Sequence, residues 1–311
     1  MTHKIGIVGF GKIARDEHRP SIARNPAFEL VAVAGGRTAA ESGVRRVFRT
    51  AEEMLAGAPD LDAVAVCTPP PPRHAIARAA LLAGKHVLLE KPPAATLSEM
   101  TDLARLAHER GRVLFATWHS RFNAAVAEAK RRLAGQSVAE MHVEWREDVR
   151  TWHPGQNWIW QPGGFGVFDP GINALSIVTE ILPAPVFVRR SELRVPAGRD
   201  APIAAGLEFT SGREGAELRA EFDWRQIERE TWEITLRTEA GTRLALTGGG
   251  SRLEVDGTVV AEEARDEYGG IYARFDALLR EGRSEVDTRP FELVADAFML
   301  GRRVEVEPFE G

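Results

Sequence analysis

The sequence predicts an α/β protein of two domains, in which a doubly wound parallel sheet precedes an α+β domain with an open-faced, mainly antiparallel sheet. Three observations predict this fold. Uniformly apolar stretches alternate with helical patterns up to Phe122, a glycine-rich turn follows the first stretch, and polar and apolar residues alternate along the later ones. A chain of 311 residues normally divides into two domains. We expect domains at residues 1–121 and 122–311.

The first domain is predicted from its apolar stretches and the helical patterns between them. The strands have no polar alternation, which is typical of a parallel sheet covered by helices on both faces. Ligands of such sheets bind at the carboxyl ends of the strands. The predicted strands are residues 5–8, 30–33, 63–67, 87–89 and 113–117, and the predicted helices are 51–56, 75–83 and 99–110.

A glycine-rich turn follows the first predicted strand and opens a helical stretch. Residues 9–14 read G-F-G-K-I-A, where glycines permit a tight turn and close approach of the backbone to a pyrophosphate. The alternative is a tight strand-to-helix turn without a ligand. We expect a dinucleotide site here, with contacts from Gly9, Phe10, Gly11, Lys12 and Ile13.

The end of the second strand distinguishes the two nicotinamide cofactors. An acidic residue there would bind the ribose of NAD, whereas an arginine would accommodate the 2′-phosphate of NADP. This chain has Gly36, Arg37 and Thr38, and no carboxylate before Glu41. We therefore expect NADP to be favoured and NAD also to be used. The alternative is that Arg37 is an exposed loop residue without a role.

Two further strand ends complete the predicted rim of the cofactor site. Lys91 follows a buried strand and precedes a proline, so we expect it to lie over the nicotinamide end of the crevice and to take part in proton transfer or substrate orientation. The alternative is a solvated surface lysine. The remaining cofactor contacts predicted on this rim are Thr68, Pro69, Pro70, His74 and Glu90.

The second domain shows one charged residue on an apolar face. Residues 216–224 alternate strictly, and a closing amphipathic helix is predicted at 291–303. In the stretch before residue 150, Glu147 shares its parity with apolar residues only. A buried carboxylate needs a partner, and we favour a pair of sugar hydroxyls over an ion pair with an arginine such as Arg121.

The amino-acid composition limits the kinds of partner that this chain is expected to bind. Forty basic and 45 acidic residues give a net charge of −5, which offers no positive field for nucleic acid or an anionic membrane. Cys67, the single cysteine, is interpreted as a packed strand residue, and no histidine or cysteine spacing indicates a metal site. We expect a cytoplasmic protein with a small-molecule substrate.

Longer sequence blocks make the chain similar to the Gfo/Idh/MocA family of NAD(P)-dependent sugar oxidoreductases, whose first domain is a Rossmann fold. The resemblance covers essentially the whole chain, and it is strongest for members that act at C1 of L-arabinose or D-galactose. It implies oxidation of the pyranose to an aldonolactone with hydride transfer to nicotinamide, and a homo-oligomer formed through the open-faced sheet. The blocks are GKIARDEH at 11–18, LFATWHSRF at 114–122, EDVRTWHPGQNWIW at 147–160 and GGFGVFDPGINALSIVTEILP at 163–183.

The family's D-x-G-x-H motif appears here as Asp169 to Asn173, with asparagine in place of histidine. Asparagine cannot act as a base, which leaves Asp169 and Lys91 to accept the proton, while Asn173 can contact the same hydroxyl. The alternative for Asp169 is a helix N-cap. The sugar contacts implied by the resemblance are His119, Trp152 and His153.

The sequence is compatible with two roles for a pair of tryptophans and with two other functions. Trp158 and Trp160 fit either an apolar wall for the sugar or core packing. A sugar-responsive regulator without catalysis and an aldose–aldose oxidoreductase are the alternative functions. The presence of both Lys91 and Asp169 favours an enzyme over a regulator.

Overall fold

The computed structural model describes residues 2–36, 39–264 and 266–310, and the chain forms two compact units. The first unit is Met1–His119 with Asp266–Thr288, and the second is Ser120–Arg265 with Arg289–Gly311. The change of unit at residue 119 lies close to the expected division. The segment Asp266–Thr288, which we expected in the second domain, instead packs with the first. Local sequence patterns carry no information about which distant unit a helix joins.

The first unit is built on a parallel sheet of six strands with the order β3-β2-β1-β4-β5-β6. The five predicted strands are present, and the short third strand is an addition. Because every pairing is parallel, the carboxyl ends of the strands lie along one edge. The strands are β1 His3–Val8, β2 Phe28–Ala34, β3 Arg46–Phe48, β4 Ala63–Val66, β5 His86–Leu89 and β6 Leu114–Ala116.

Several helices start where the sequence offers a capping side chain or a proline. Thr96 and Glu99 form a capping box at the start of α4, and Thr50 caps α2. A π-helical turn at Ala14–His18 runs directly into α1. The helices are α1 Arg19–Arg24, α2 Ala51–Gly57, α3 Pro70–Leu82, α4 Leu97–Glu109, α5 Ala124–Leu133, α6 Val149–Trp152, α7 Phe168–Ile181, α8 Glu267–Glu281 and α9 Arg289–Leu300.

The second unit is built on a mixed sheet of nine strands with the order β14-β13-β12-β11-β7-β10-β9-β8-β15. All pairings are antiparallel except β7 with β10 and β8 with β15. The strands are β7 Val138–Arg146, β8 Phe187–Pro196, β9 Ala204–Thr210, β10 Glu217–Asp223, β11 Thr231–Thr238, β12 Arg243–Thr247, β13 Arg252–Val255, β14 Thr258–Glu262 and β15 Gly301–Val306.

The two faces of this sheet differ in polarity. Along β10, Leu218, Ala220 and Phe222 are buried on one face, as the alternation predicts. The opposite face is charged, with ion pairs such as Arg146 with Glu221. The closing helix is shorter than expected, because residues 301–303 begin β15, which pairs with β8.

No helix in the described part of the chain is long and apolar enough to cross a membrane.

Candidate functional site

The loops at the carboxyl ends of β1, β2 and β4 close against one another around two glycines. Gly9 has φ 87°, and a Cβ atom there would lie 2.7 Å from the backbone nitrogen of Thr68. Gly36 has φ 89°, and its Cβ would lie 2.6 Å from the carbonyl oxygen of Phe10. Both positions therefore require glycine on two independent grounds, backbone conformation and space.

The helix after this turn begins with backbone exposed to open space. A Cβ on Gly11 would meet no atom of the described residues within 4 Å, and the amide of Arg15 donates to the carbonyl of Gly11 at 3.1 Å. Lys12 and Ile13 lie in the first turn, with exposed side chains, and Lys12 pairs with Asp16 at 2.6 Å. Anions bind at this kind of helix start, because its first amides have no partner within the helix.

The turn fits a nicotinamide dinucleotide. The described residues leave space next to Gly11, where a Cβ would lie. In addition, Thr68 lies against the glycine turn, and its hydroxyl oxygen is buried without a hydrogen-bond partner in the described chain. A cofactor bound over the turn could supply that partner. The expected contacts of Arg37 and Thr38 lie outside the described residues.

The start of α3 is less suited to a phosphate than the glycine turn. Pro69 is its N-cap and Pro70 begins it, and proline has no amide hydrogen to donate. Pro70 is buried. His74 lies further along the helix and its Nε2 contacts a carboxylate oxygen of Asp102 at 2.9 Å. The cofactor contacts expected of these three residues stay predictions.

Glu90 and Lys91 follow β5, and Glu90 is buried in a network of hydrogen bonds. Its Oε1 accepts from the Tyr268 hydroxyl at 2.7 Å and lies 2.9 Å from Nε2 of His18. Its Oε2 accepts the backbone amide of Lys91 at 2.8 Å. Nδ1 of His18 contacts the hydroxyl of Tyr272 at 2.8 Å.

Two residues of this network, His18 and Glu90, have pKa values that are shifted in opposite directions. Burial by itself would lower the pKa of His18, but Cys67, Tyr272 and Glu90 outweigh it and hold that pKa well above its usual range. Burial would raise the pKa of Glu90, and hydrogen bonds from His18 and Tyr268 instead keep it well below its usual range. Both shifts favour the charged forms of His18 and Glu90, whose facing atoms lie 2.9 Å apart.

His119, an expected sugar contact, belongs to this same unit. Its Nδ1 lies 2.7 Å from Oε2 of Glu267, and its ring stacks on Tyr268 with a centroid distance of 5.8 Å. Burial opposes the imidazolium, but the Glu267 carboxylate raises the pKa of His119. Sequence reasoning missed Glu267, Tyr268 and Tyr272, because α8 lies far along the chain from the rim it packs with.

In the second unit, α7 brings Asp169 and Asn173 onto one face, a helical turn apart. Asp169 is 5% exposed, and its Oδ2 lies 3.2 Å from Nε2 of His153. The N-cap of the helix is Val167, without a side-chain cap, so the alternative role of Asp169 as N-cap is wrong. Asp169 and His153 can together accept a proton from a hydroxyl group.

Glu147 is 4% exposed and lies between two indole rings. Nε1 of Trp224 donates to its Oε1 at 3.1 Å, and Nε1 of Trp232 donates to its Oε2 at 3.0 Å. His153 packs on Trp224 with a centroid distance of 5.1 Å. The alternation along the chain placed both tryptophans on apolar faces, but gave no signal that their N–H groups meet this carboxylate.

The other aromatic candidates divide between surface and core. Trp152 is 38% exposed, packs on Trp232 at 5.8 Å and donates to Glu230. Trp160 is 4% exposed and packs on Trp224, which favours core packing over a sugar wall. Trp158 is half-buried and donates to Gln156.

These features define a class of protein. A doubly wound sheet with a glycine turn that fits a dinucleotide is typical of nicotinamide-dependent oxidoreductases. The second unit adds a buried aspartate, an imidazole and a buried glutamate, which suit a polyhydroxylated substrate. The described residues contain no cluster of three or more potential metal ligands.

The chain belongs to the Gfo/Idh/MocA family. Residues 3–117 match the family described as an oxidoreductase family with an NAD-binding Rossmann fold. The chain is 46% identical to a galactose 1-dehydrogenase from Pseudomonas fluorescens, with 98% of each sequence covered.

Solved structures give the same assignment. The crystal structure of a D-galactose-1-dehydrogenase protein from Rhizobium etli is similar to this chain at a TM-score of 0.93 and 51% identity, covering 99% of this chain and 98% of the other. A 3-ketoreductase from Actinomadura kijaniata, in complex with TDP-benzene and NADP, shares the fold at a TM-score of 0.82 and 20% identity, covering 98% of this chain and 100% of the other.

Proposed function

We propose that this protein is an NAD(P)-dependent aldose 1-dehydrogenase that oxidises C1 of D-galactose, L-arabinose or both, in the pyranose form, to the aldonolactone. The full-length similarity to two galactose 1-dehydrogenases supports the reaction class and the hexose. The observation that carries the proposal is the contact of Asp169 with His153, because it joins an imidazole to the carboxylate of a motif whose own histidine is replaced by Asn173.

The chemistry divides between cofactor and protein. The bound nicotinamide supplies the acceptor for the hydride that leaves C1. Asp169 is proposed to accept the proton of the C1 hydroxyl, while Nε2 of His153, which lies 3.2 Å from Oδ2, orients the carboxylate. Asn173, a turn further along α7, donates to the same hydroxyl or its neighbour. Lys91 is proposed to orient that hydroxyl, or to accept its proton in place of Asp169.

Glu147 is proposed to bind the sugar. Its Oε1 accepts the N–H of Trp224 and its Oε2 that of Trp232, and a carboxylate oxygen can accept more than one hydrogen bond. A pair of vicinal hydroxyls suits such a carboxylate, because two O–H donors can meet its two oxygens. D-Galactopyranose and L-arabinopyranose share their ring stereochemistry through C4, so a pocket open at C5 would accept both. His119 and Trp152 are proposed as further sugar contacts.

The cofactor preference is part of the same proposal. The stretch after β2 carries no carboxylate before Glu41, so nothing there repels a 2′-phosphate. We propose that NADP is favoured and that NAD is also used. The charged face of the nine-stranded sheet is the proposed surface for a homo-oligomer.

Initial rates of D-galactose and L-arabinose oxidation with each cofactor test the function directly. Lys91→Ala and Asp169→Asn should each lower kcat by at least about 100-fold. The matched control is Lys130→Ala, which removes an exposed lysine that pairs with Glu180 on the surface. Absence of reduced nicotinamide with every aldose refutes the dehydrogenase, and sugar binding without any turnover indicates the regulator. Cofactor that stays bound through purification and is recycled between two sugars indicates an aldose–aldose oxidoreductase.

A further inference from the structure

We propose that Arg73 and Glu90 are positioning residues that fix the backbone on both sides of Lys91. This inference rests on the proposed action of Lys91 on the reacting hydroxyl. It assigns a role to a buried arginine that neither the cofactor site nor the sugar site uses.

Arg73 is an arginine of α3 that is only 5% exposed. Its Nε donates to the carbonyl of Thr68 at 2.7 Å, and its Nη1 donates to the carbonyl of Glu90 at 2.5 Å and to that of Pro92. One planar guanidinium thus connects the loops at the carboxyl ends of β4 and β5. The two carbonyls in the second loop belong to the residues directly before and after Lys91.

The location of this arginine is unfavourable for the helix itself. A cation in the first turns of a helix opposes the helix dipole, and a buried charge is costly unless hydrogen bonds satisfy it. The carbonyls that Arg73 bonds offset this cost and give a physical reason for its burial.

The side chain of Glu90 holds the backbone amide of Lys91. Its Oε2 accepts the amide hydrogen of Lys91, while Tyr268 and His18 hold its Oε1. The peptide group that joins Glu90 to Lys91 is therefore bonded at its carbonyl by Arg73 and at its amide by the Glu90 side chain. The position of this peptide group sets where the ammonium group of Lys91 can reach.

A displacement of a catalytic group by about 1 Å can cost about 100-fold in rate. Arg73→Lys keeps the charge but replaces the planar fork with one ammonium, which cannot reproduce three bonds in that geometry. We expect kcat to fall about ten- to 100-fold and the KM for the sugar to change less than about threefold. The matched control is Arg78→Lys on the same helix, where the arginine is half exposed and lies 3.5 Å from Asp102. Its kcat should stay parental.

A second background separates positioning from general damage. Because Arg73 is proposed to act through Lys91, Arg73→Lys should change the residual kcat of a Lys91→Ala protein less than about twofold. An equal fold-loss in both backgrounds overturns the positioning role and leaves the proposed function intact. A Lys91→Ala protein with parental kcat instead overturns the proposed function.

Two further measurements keep the test decisive. With a sugar deuterated at C1, the primary isotope effect on kcat should rise in Arg73→Lys and stay parental in Arg78→Lys. A parental isotope effect together with a parental kcat in Arg73→Lys refutes the proposal.

If Arg73→Lys does not fold, Glu90→Ala takes its place, with Glu109→Ala on the exposed surface of α4 as its control. Glu90→Ala should lower kcat at least about tenfold, and a folded Glu90→Ala protein with parental kcat also refutes the proposal.

Discussion

Substituting Gly9 by alanine tests the physical basis of the glycine turn. Two costs add at this position. A residue with a Cβ at φ 87° loses about 1–2 kcal/mol from backbone strain. The new Cβ would also lie 2.7 Å from the backbone nitrogen of Thr68 and 2.9 Å from the carbonyl carbon of Cys67.

The second cost is high because those atoms cannot easily move. The amide of Cys67 donates to the carbonyl of Val8 at 2.8 Å, which ties the two strand ends together. Overpacking of this kind costs roughly 1–3 kcal/mol. We therefore expect Gly9→Ala to lose about 2–5 kcal/mol of unfolding free energy, which corresponds to a fall in Tm of about 5–15 °C.

Two other glycines separate the contributions. Gly84 has φ 75°, and a Cβ added there would meet no described atom within 4 Å, so Gly84→Ala should show the strain cost alone, about 1–2 kcal/mol. A Cβ on Gly11 would likewise have no neighbour within 4 Å in the part of the chain that the structure describes, so Gly11→Ala should keep the Tm of the cofactor-free protein. The added methyl group should nevertheless weaken cofactor binding at least about tenfold, because a pyrophosphate needs close approach there.

Circular dichroism in the far ultraviolet, recorded without cofactor, gives Tm, and tryptophan fluorescence titration with NADP and NAD gives Kd. The reasoning about close packing is refuted if Gly9→Ala unfolds within about 1 °C of Gly84→Ala. The location of the cofactor is refuted if Gly11→Ala binds both cofactors as tightly as the parent.

Three further predictions concern single side chains. Asp169→Asn should leave the Kd of the cofactor unchanged while kcat falls, because an amide cannot accept a proton; a parallel loss of cofactor affinity would contradict its assignment to the reacting hydroxyl. Trp232→Phe keeps an aromatic ring but removes the N–H that donates to Oε2 of Glu147. Because one hydrogen bond contributes about 1 kcal/mol, the KM for the sugar should rise about fivefold. An unchanged KM would count against Glu147 as a sugar ligand. Burial and the charge of Arg112 lower the pKa of His86 from 6.5 to about 4. Because the unfolded chain therefore binds the proton at a higher pH than the folded protein, the unfolding free energy falls as the pH drops from 6.5 towards 4. After allowance for solvent screening, the loss should be roughly 1–2 kcal/mol. Urea unfolding at about pH 6.5 and about pH 4.5 should show a smaller loss for His86→Asn, and an identical loss would exclude His86 as its source.

Part of the candidate site follows from local sequence patterns. The turn at Gly9 and Gly11 is a strand, a turn and a helix within a few residues, so its geometry is encoded where it occurs. Glu147 was identified because a charge on an apolar strand face is exceptional, and it is buried as that pattern predicts.

The partners of these residues could not be found in the same way. Trp224 directly follows β10 and Trp232 lies in β11, and these two strands flank β7 in the sheet but follow it by many residues in sequence. The alternation of a strand shows which face a residue occupies, but not which neighbour its polar atom meets. The contact of His153 with Asp169 likewise joins a loop to a helix start and has no local signature.

The sequence by itself determined the class of fold, the glycine turn and the two motifs at Lys91 and Asp169, because hydrophobic periodicity and turn chemistry act over a few residues. Only the tertiary structure decided that Asp266–Thr288 joins the first unit, where Tyr268 and His18 hold Glu90. It also decided that Arg73 binds the backbone around Lys91. These contacts depend on the packing of elements far apart in the chain, where burial and hydrogen-bond satisfaction over the whole unit select one arrangement.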